Sequence, residues 1–158
     1  MLAIKRLIKK GVLLFTFLTL TLNANAQLSS YITNHKVLAT LLGMGYGIPP
    51  SVILAIAVVE SSAGSADNAK VLKNHFGIVG KNEFVSKNGQ KSRYKQYNFE
   101  LMSYLDFCKL ISHKRFYNKL KDNTNPVAWV KAISKCGYPE SPEQWEKKIF
   151  GVLASNKL

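Results

Sequence analysis

The chain has 158 residues, with 22 Lys and Arg against 9 Asp and Glu and a formal charge of +13. That length allows one domain with a real core and not two, and two cysteines with three histidines, none clustered at ligand spacing, give no motif for a metal or cofactor. A charge this positive favours a polyanionic partner through long-range, salt-screened attraction.

Residues 1–26 differ in kind from the rest. Lys5, Arg6, Lys9 and Lys10 precede an apolar and threonine-rich stretch from Val12 to Leu22, followed by Ala24-Asn25-Ala26. This is the pattern of a secretory signal peptide, with a basic start, a short apolar centre and small residues at the cleavage site. The apolar run falls short of the roughly 20 residues of a spanning helix. The predicted mature domain is therefore 27–158, beginning at Gln27, and it remains basic. Export argues against nucleic acid and points to the anionic polymers and head groups of a cell envelope. An oxidising destination permits a disulfide between Cys108 and Cys136; each also fits an apolar helical face, so two buried thiols are the alternative.

From Tyr31 to Tyr46 the apolar residues Ile32, Val37, Leu38, Leu41 and Leu42 recur at helical spacing and run out at Gly43, Gly45 and Gly47. Pro49-Pro50 then opens a helix, where a missing N–H is harmless. Val52 to Val59 is apolar on all sides, the mark of a buried central helix. It ends at Glu60-Ser61-Ser62-Ala63-Gly64, with Gly64 as the stop. Between Ile78 and Tyr97 polar residues alternate with aromatic and β-branched ones around Asn88-Gly89, a two-residue turn signal, which predicts a small β hairpin. Leu101, Tyr104, Leu105, Cys108 and Ile111 share one helical face, and a short helix is expected over 116–120. Asn125-Pro126 caps a helix through Val130 and Ile133 that stops at Gly137. Ser141-Pro142-Glu143-Gln144 has the capping-box pattern and starts a last helix with Trp145, Ile149, Val152 and Leu153 on its apolar face. The expected fold class is α+β, mainly helical, with a β-hairpin lobe.

Glu60 is the most expensively placed of the acids, since it follows eight consecutive apolar residues on a buried helix. Desolvation disfavours its ionised form and raises its pKa, so it can hold a proton at neutral pH and deliver it. Cleavage of a glycosidic bond needs such an acid, because the sugar oxygen leaves poorly unless protonated. A carboxylate at the solvent edge of the helix is the plainer reading. In Asn74-His75-Phe76-Gly77, His75 is either a general base or a backbone-holding residue. Tyr138, in Gly137-Tyr138-Pro139, either binds a sugar hydroxyl or caps the core.

The stretches YGIPPSVILAIAVVESSAG, NHFGI, RYKQYNFELMSYLDF and VKAISKCGYPESPEQWEKKI, in this order, resemble glycoside hydrolase family 73, the mannosyl-glycoprotein endo-β-N-acetylglucosaminidase-like domain of flagellar hydrolases and autolysins. The resemblance implies a lysozyme-like domain over 27–158 that cleaves the β-1,4 bond after N-acetylglucosamine in cell-wall glycan. Glu60 matches the family's acid, Tyr138 its cleft tyrosine, and Asn74, His75, Phe76 and Gly77 its substrate-side segment. Relatives also carry a second carboxylate in the hairpin lobe; Glu83 is the candidate here. Phe84, Tyr94 and Tyr97 are candidates to stack on sugar faces. Ser62 and Ala63 depart from the glycine and aromatic that often follow Glu-Ser in the family. The expected partner is peptidoglycan, with no nucleic acid, no stable membrane insertion after leader cleavage, and no cofactor or metal. A muramidase or lytic transglycosylase and a non-catalytic peptidoglycan-binding module are the alternatives.

Overall fold

The computed structural model describes residues 25–83, 91–156 and 158. The predicted leader up to residue 24, Phe84 and the Asn88-Gly89 turn lie outside them. Seven helices follow one another among the described residues. They are α1 over 25–46, α2 Pro50–Ser61, α3 Asp67–Lys70, α4 Glu100–Ser112, α5 Tyr117–Leu120, α6 Pro126–Lys135 and α7 Pro142–Ser155. No described helix is long and apolar enough to cross a membrane.

The centre of the molecule is α2. Pro50 occupies its first turn, and every residue from Val52 to Val58 is buried, so the helix is held by neighbours on all sides. α7 and α6 pack against it and against each other. Trp129, Val130 and Ile133 of α6 and Ile149 of α7 are fully buried. Completely burying side chains of this size contributes about 1.5–3 kcal/mol each, which outweighs the modest helix propensity of the β-branched residues of α2. α6 starts as its sequence predicts, the Asn125 Oδ1 accepting the Val127 N–H at 2.9 Å.

Three local expectations are corrected. The capping box of α7 does not form: Ser141 occupies the N-cap but its side chain makes no capping bond, and Gln144 lines the cleft described below. On α4 the buried face is Ser103, Tyr104, Phe107, Cys108 and Ile111, whereas Leu101 is exposed. The β-hairpin lobe is not seen. Its described part holds the antiparallel bridge Val79–Tyr94 and no strand. The Asn74 amide donates to both Ile78 O and Lys95 O at 2.8 Å, and the Asn82 amide to Ser92 O and Tyr94 O at 2.7 Å. Main-chain bonds also cross between the two segments, from the Lys95 N–H to Ile78 O at 2.7 Å, the Gly80 N–H to Arg93 O at 3.0 Å and the Gln96 N–H to Lys81 O at 3.1 Å. A short main-chain pairing and the two side-chain amides together tie them, with no strand among the described residues.

Cys108 and Cys136 are free thiols. Burial pushes the Cys108 thiol up to about 12, and Cys136 Sγ bonds the Ile133 carbonyl at 3.1 Å.

Candidate active site

The end of α2, the 76–79 segment and the start of α7 enclose a cleft of about 590 Å³. Glu60, next to last on α2, is half-buried in its wall. Its Oε1 accepts the Trp145 indole N–H at 2.6 Å. Burial pushes the Glu60 carboxyl above its usual range, against the lowering pull of the Trp145 bond and the Lys148 ammonium. The C-terminal end of α2 adds partial negative charge at the same place, which also disfavours the anion.

Across from the carboxylate lies bare backbone. Gly77 has φ +64°, and a Cβ there would stand 3.3 Å from Glu60 Oε2 and 3.7 Å from the Tyr94 ring. Glycine alone combines that left-handed conformation with so close an approach. The turn carrying it is fixed from below by Asn74, which is fully buried. Besides donating to Ile78 O and Lys95 O, its Oδ1 accepts the N–H groups of Phe76 at 3.3 Å and Ile78 at 3.1 Å. The Tyr138 hydroxyl donates to the Phe76 carbonyl at 2.6 Å, joining the start of the α7 side to the same turn. Burial, with the Glu60 charge beside it, raises the Tyr138 phenol well above its ordinary value, so it is a neutral hydrogen-bonding group and not a base.

The structure thus brings together Glu60, Phe76, Gly77, Tyr94 and Tyr138 in one cleft. Asn74 builds the wall without lining it. His75 faces away: it is buried, its Nδ1 lies 2.6 Å from the Tyr31 hydroxyl, and burial pushes its ring down to about 4 against the pull of Glu100. Tyr97 is also turned aside and donates to Asp106 Oδ2 at 2.7 Å. Glu83 is exposed and is not among the cleft-lining residues.

Sequence reasoning passed over several cleft residues. Trp145 read as an ordinary core position, although its N–H is the direct partner of Glu60. Trp145 and Lys148 are three apart on α7 and so share a face, which was the available signal. Arg93 and Glu140 also line the cleft and pair at 2.7 Å. Both are largely exposed, so this bridge contributes little to stability, yet it spans two distant segments at the cleft edge.

Comparison with known proteins agrees with this geometry. The mannosyl-glycoprotein endo-β-N-acetylglucosaminidase family model matches residues 37–158. Among solved structures, the glycoside hydrolase domain of FlgJ from Salmonella typhimurium superposes with a TM-score of 0.66 at 19% identity, covering 82% of this chain and 88% of that one. The catalytic domain of the autolysin Auto from Listeria monocytogenes gives 0.65 at 19% identity, with 83% and 85% covered. A peptidoglycan hydrolase mutant from Sphingomonas sp. A1 gives 0.62 at 19% identity, with 78% and 91% covered. No curated protein matches by sequence. The central helix, its terminal glutamate in a cleft and the family match over most of the chain establish that this protein belongs to the mannosyl-glycoprotein endo-β-N-acetylglucosaminidase family and is a glycoside hydrolase.

Proposed function

We propose that the protein is an exported peptidoglycan hydrolase that cleaves the β-1,4 bond after N-acetylglucosamine, with Glu60 as general acid. The observation that carries this reading is the half-buried Glu60 carboxyl, held on the cleft wall by Trp145 with its pKa raised by burial. A protonated carboxyl there donates its proton to the leaving glycosidic oxygen as the bond breaks. The structural relatives named as peptidoglycan hydrolase and autolysin support the substrate class. The net positive charge of the sequence supports attraction to an anionic wall, and the leader pattern over 1–26 supports export.

The second half of the reaction follows from what faces Glu60. Glu60 and Glu140 are the acids among the described cleft-lining residues, and Glu140 is engaged by Arg93. Glu83 is exposed outside that lining. This arrangement favours attack on the anomeric carbon by the substrate's own acetamido oxygen, with Glu60 protonating the leaving group and then, as carboxylate, taking a proton from the incoming water. Tyr94 supplies aromatic surface for a sugar face.

Digestion of purified peptidoglycan, followed by reduction and mass spectrometry, tests the bond assignment. Products ending in reduced N-acetylglucosamine are expected. Muramic or anhydromuramic ends would move the assignment to a muramidase or lytic transglycosylase.

A further inference from the structure

On the far side of the 74–77 turn from Glu60, three residues from separate segments converge: His35 of α1, His75 of the turn and Glu100 at the start of α4. One ligand atom from each lies within 4.8 Å of the others. Glu100 Oε2 stands 3.0 Å from His35 Nε2 and 3.9 Å from His75 Nε2.

The hydrogen bonds of the two rings decide what this space can hold. His35 Nδ1 lies 2.8 Å from the Tyr31 backbone carbonyl, and only an N–H can bond a carbonyl, so Nδ1 carries the proton. In the neutral ring, Nε2 then points a lone pair at a carboxylate oxygen 3.0 Å away. Two acceptors at that distance need a cation between them, either a proton on His35 or a metal ion. His75 distinguishes the two. Its Nδ1 is bonded by the Tyr31 hydroxyl at 2.6 Å, and Tyr31 continues to Tyr104 at 2.9 Å. Its Nε2 is buried with no hydrogen-bond partner, and such an atom costs about 1–3 kcal/mol unless satisfied. A proton on His35 leaves Nε2 of His75 unsatisfied, whereas a metal ion bound by all three groups satisfies it.

We infer that His35, His75 and Glu100 form a zinc-binding site. Two imidazole nitrogens and one carboxylate oxygen suit Zn²⁺. Zinc bonds of about 2.0–2.2 Å in tetrahedral geometry place ligand atoms about 3.4 Å apart. The two separations from Glu100 bracket that value, and the two histidines, within 4.8 Å of each other, close onto the ion by small side-chain movements. The remaining partners have the usual outer arrangement, each ring donating its other N–H to an oxygen, the Tyr31 carbonyl for His35 and the Tyr31 hydroxyl for His75. The fourth position faces a cavity of about 380 Å³ and takes water or hydroxide. Lys70 and Lys73 also line that cavity; their charge weakens the hold on a bare dication and favours hydroxide. The ion ties α1 to α4 through the turn whose next residues, Phe76 and Gly77, form the wall opposite Glu60, so it stiffens the cleft from behind without touching substrate.

The test is calorimetric titration of ZnCl₂ into chelator-treated protein, with the wild type beside Glu100→Gln and His35→Gln. One equivalent is expected to bind and raise Tm, and Co²⁺ in its place is expected to give the visible bands of a low-coordinate nitrogen and oxygen site. Loss of outer partners typically weakens metal sites about 10–100-fold, so loss of a ligand in either variant is expected to weaken binding by at least about 100-fold. Glu100 is half-exposed, and its isosteric replacement tests the site even where a His75 variant does not fold. Absence of zinc binding to the wild type, or binding that persists unchanged in both variants, would overturn the inference.

Discussion

The Trp145 indole N–H points at Glu60 Oε1 from 2.6 Å, across the junction of the two most closely packed helices of the core. A donor aimed at a carboxylate favours its ionised form, and here it opposes the burial that favours the acid form. Burial is the larger of the two effects, so the Glu60 carboxyl sits above its usual range while the indole limits the rise.

Replacing Trp145 by phenylalanine removes the donor and leaves the burial. The Glu60 pKa is expected to rise further, and with it the alkaline limb of the kcat/KM pH profile. The profile of Trp145→Phe beside wild type checks this; an unmoved limb would show that the indole does not control the acid.

The same burial has a cost in stability, and its sign is fixed. The folded-state pKa of Glu60 lies above its unfolded value, so the favourable contribution is complete below the unfolded pKa and is lost as pH rises through the folded one. Glu60→Gln carries no charge to bury. Its Tm is expected to exceed that of wild type at pH 8 by more than at pH 4, which thermal melts at the two pH values measure directly.

Gly77→Ala puts a methyl 3.3 Å from Glu60 Oε2 on a backbone at φ +64°. Left-handed backbone costs a non-glycine residue about 1–2 kcal/mol, and the contact displaces the carboxylate. Urea unfolding is expected to show that loss, and kcat is expected to fall more than KM changes.

Ser62 and Ala63 tell the opposite story. Both follow Glu60-Ser61 with φ 50°, in the left-handed region, and neither is glycine. Allowing for the greater flexibility of the unfolded glycine chain, Ser62→Gly is expected to stabilise the fold by up to about 1 kcal/mol. Chemical denaturation measures it.

How far the sequence disclosed this arrangement depended on whether one segment carried the information. Glu60 was legible because eight apolar residues and a proline start define a buried helix, and its last turn has few places to go. The Asn125 cap was legible for the same local reason. Trp145 was not, because periodicity assigns a tryptophan to a buried face without saying whether its N–H meets a carboxylate at the rim. The hairpin lobe was not legible, because alternation and a turn signal describe backbone preference and do not fix how far pairing runs. Between the described segments it amounts to one bridge and a few main-chain bonds, supplemented by the side-chain amides of Asn74 and Asn82. His75 belonged to a recognisable motif, but its direction is set by Tyr31 of α1 and Glu100 of α4, and no spacing along the chain brings those three together.

The central claim is that Glu60 protonates the leaving group, and leaving-group dependence tests it most directly. The rate of Glu60→Gln is to be compared with wild type on cell-wall glycan and on an aryl N-acetylglucosaminide whose phenolate departs without a proton. General acid catalysis contributes about 10²–10⁴-fold. The variant is therefore expected to lose that much on glycan and to recover most of it on the activated substrate. An equal loss on both, with the fold intact, would contradict the acid role of Glu60.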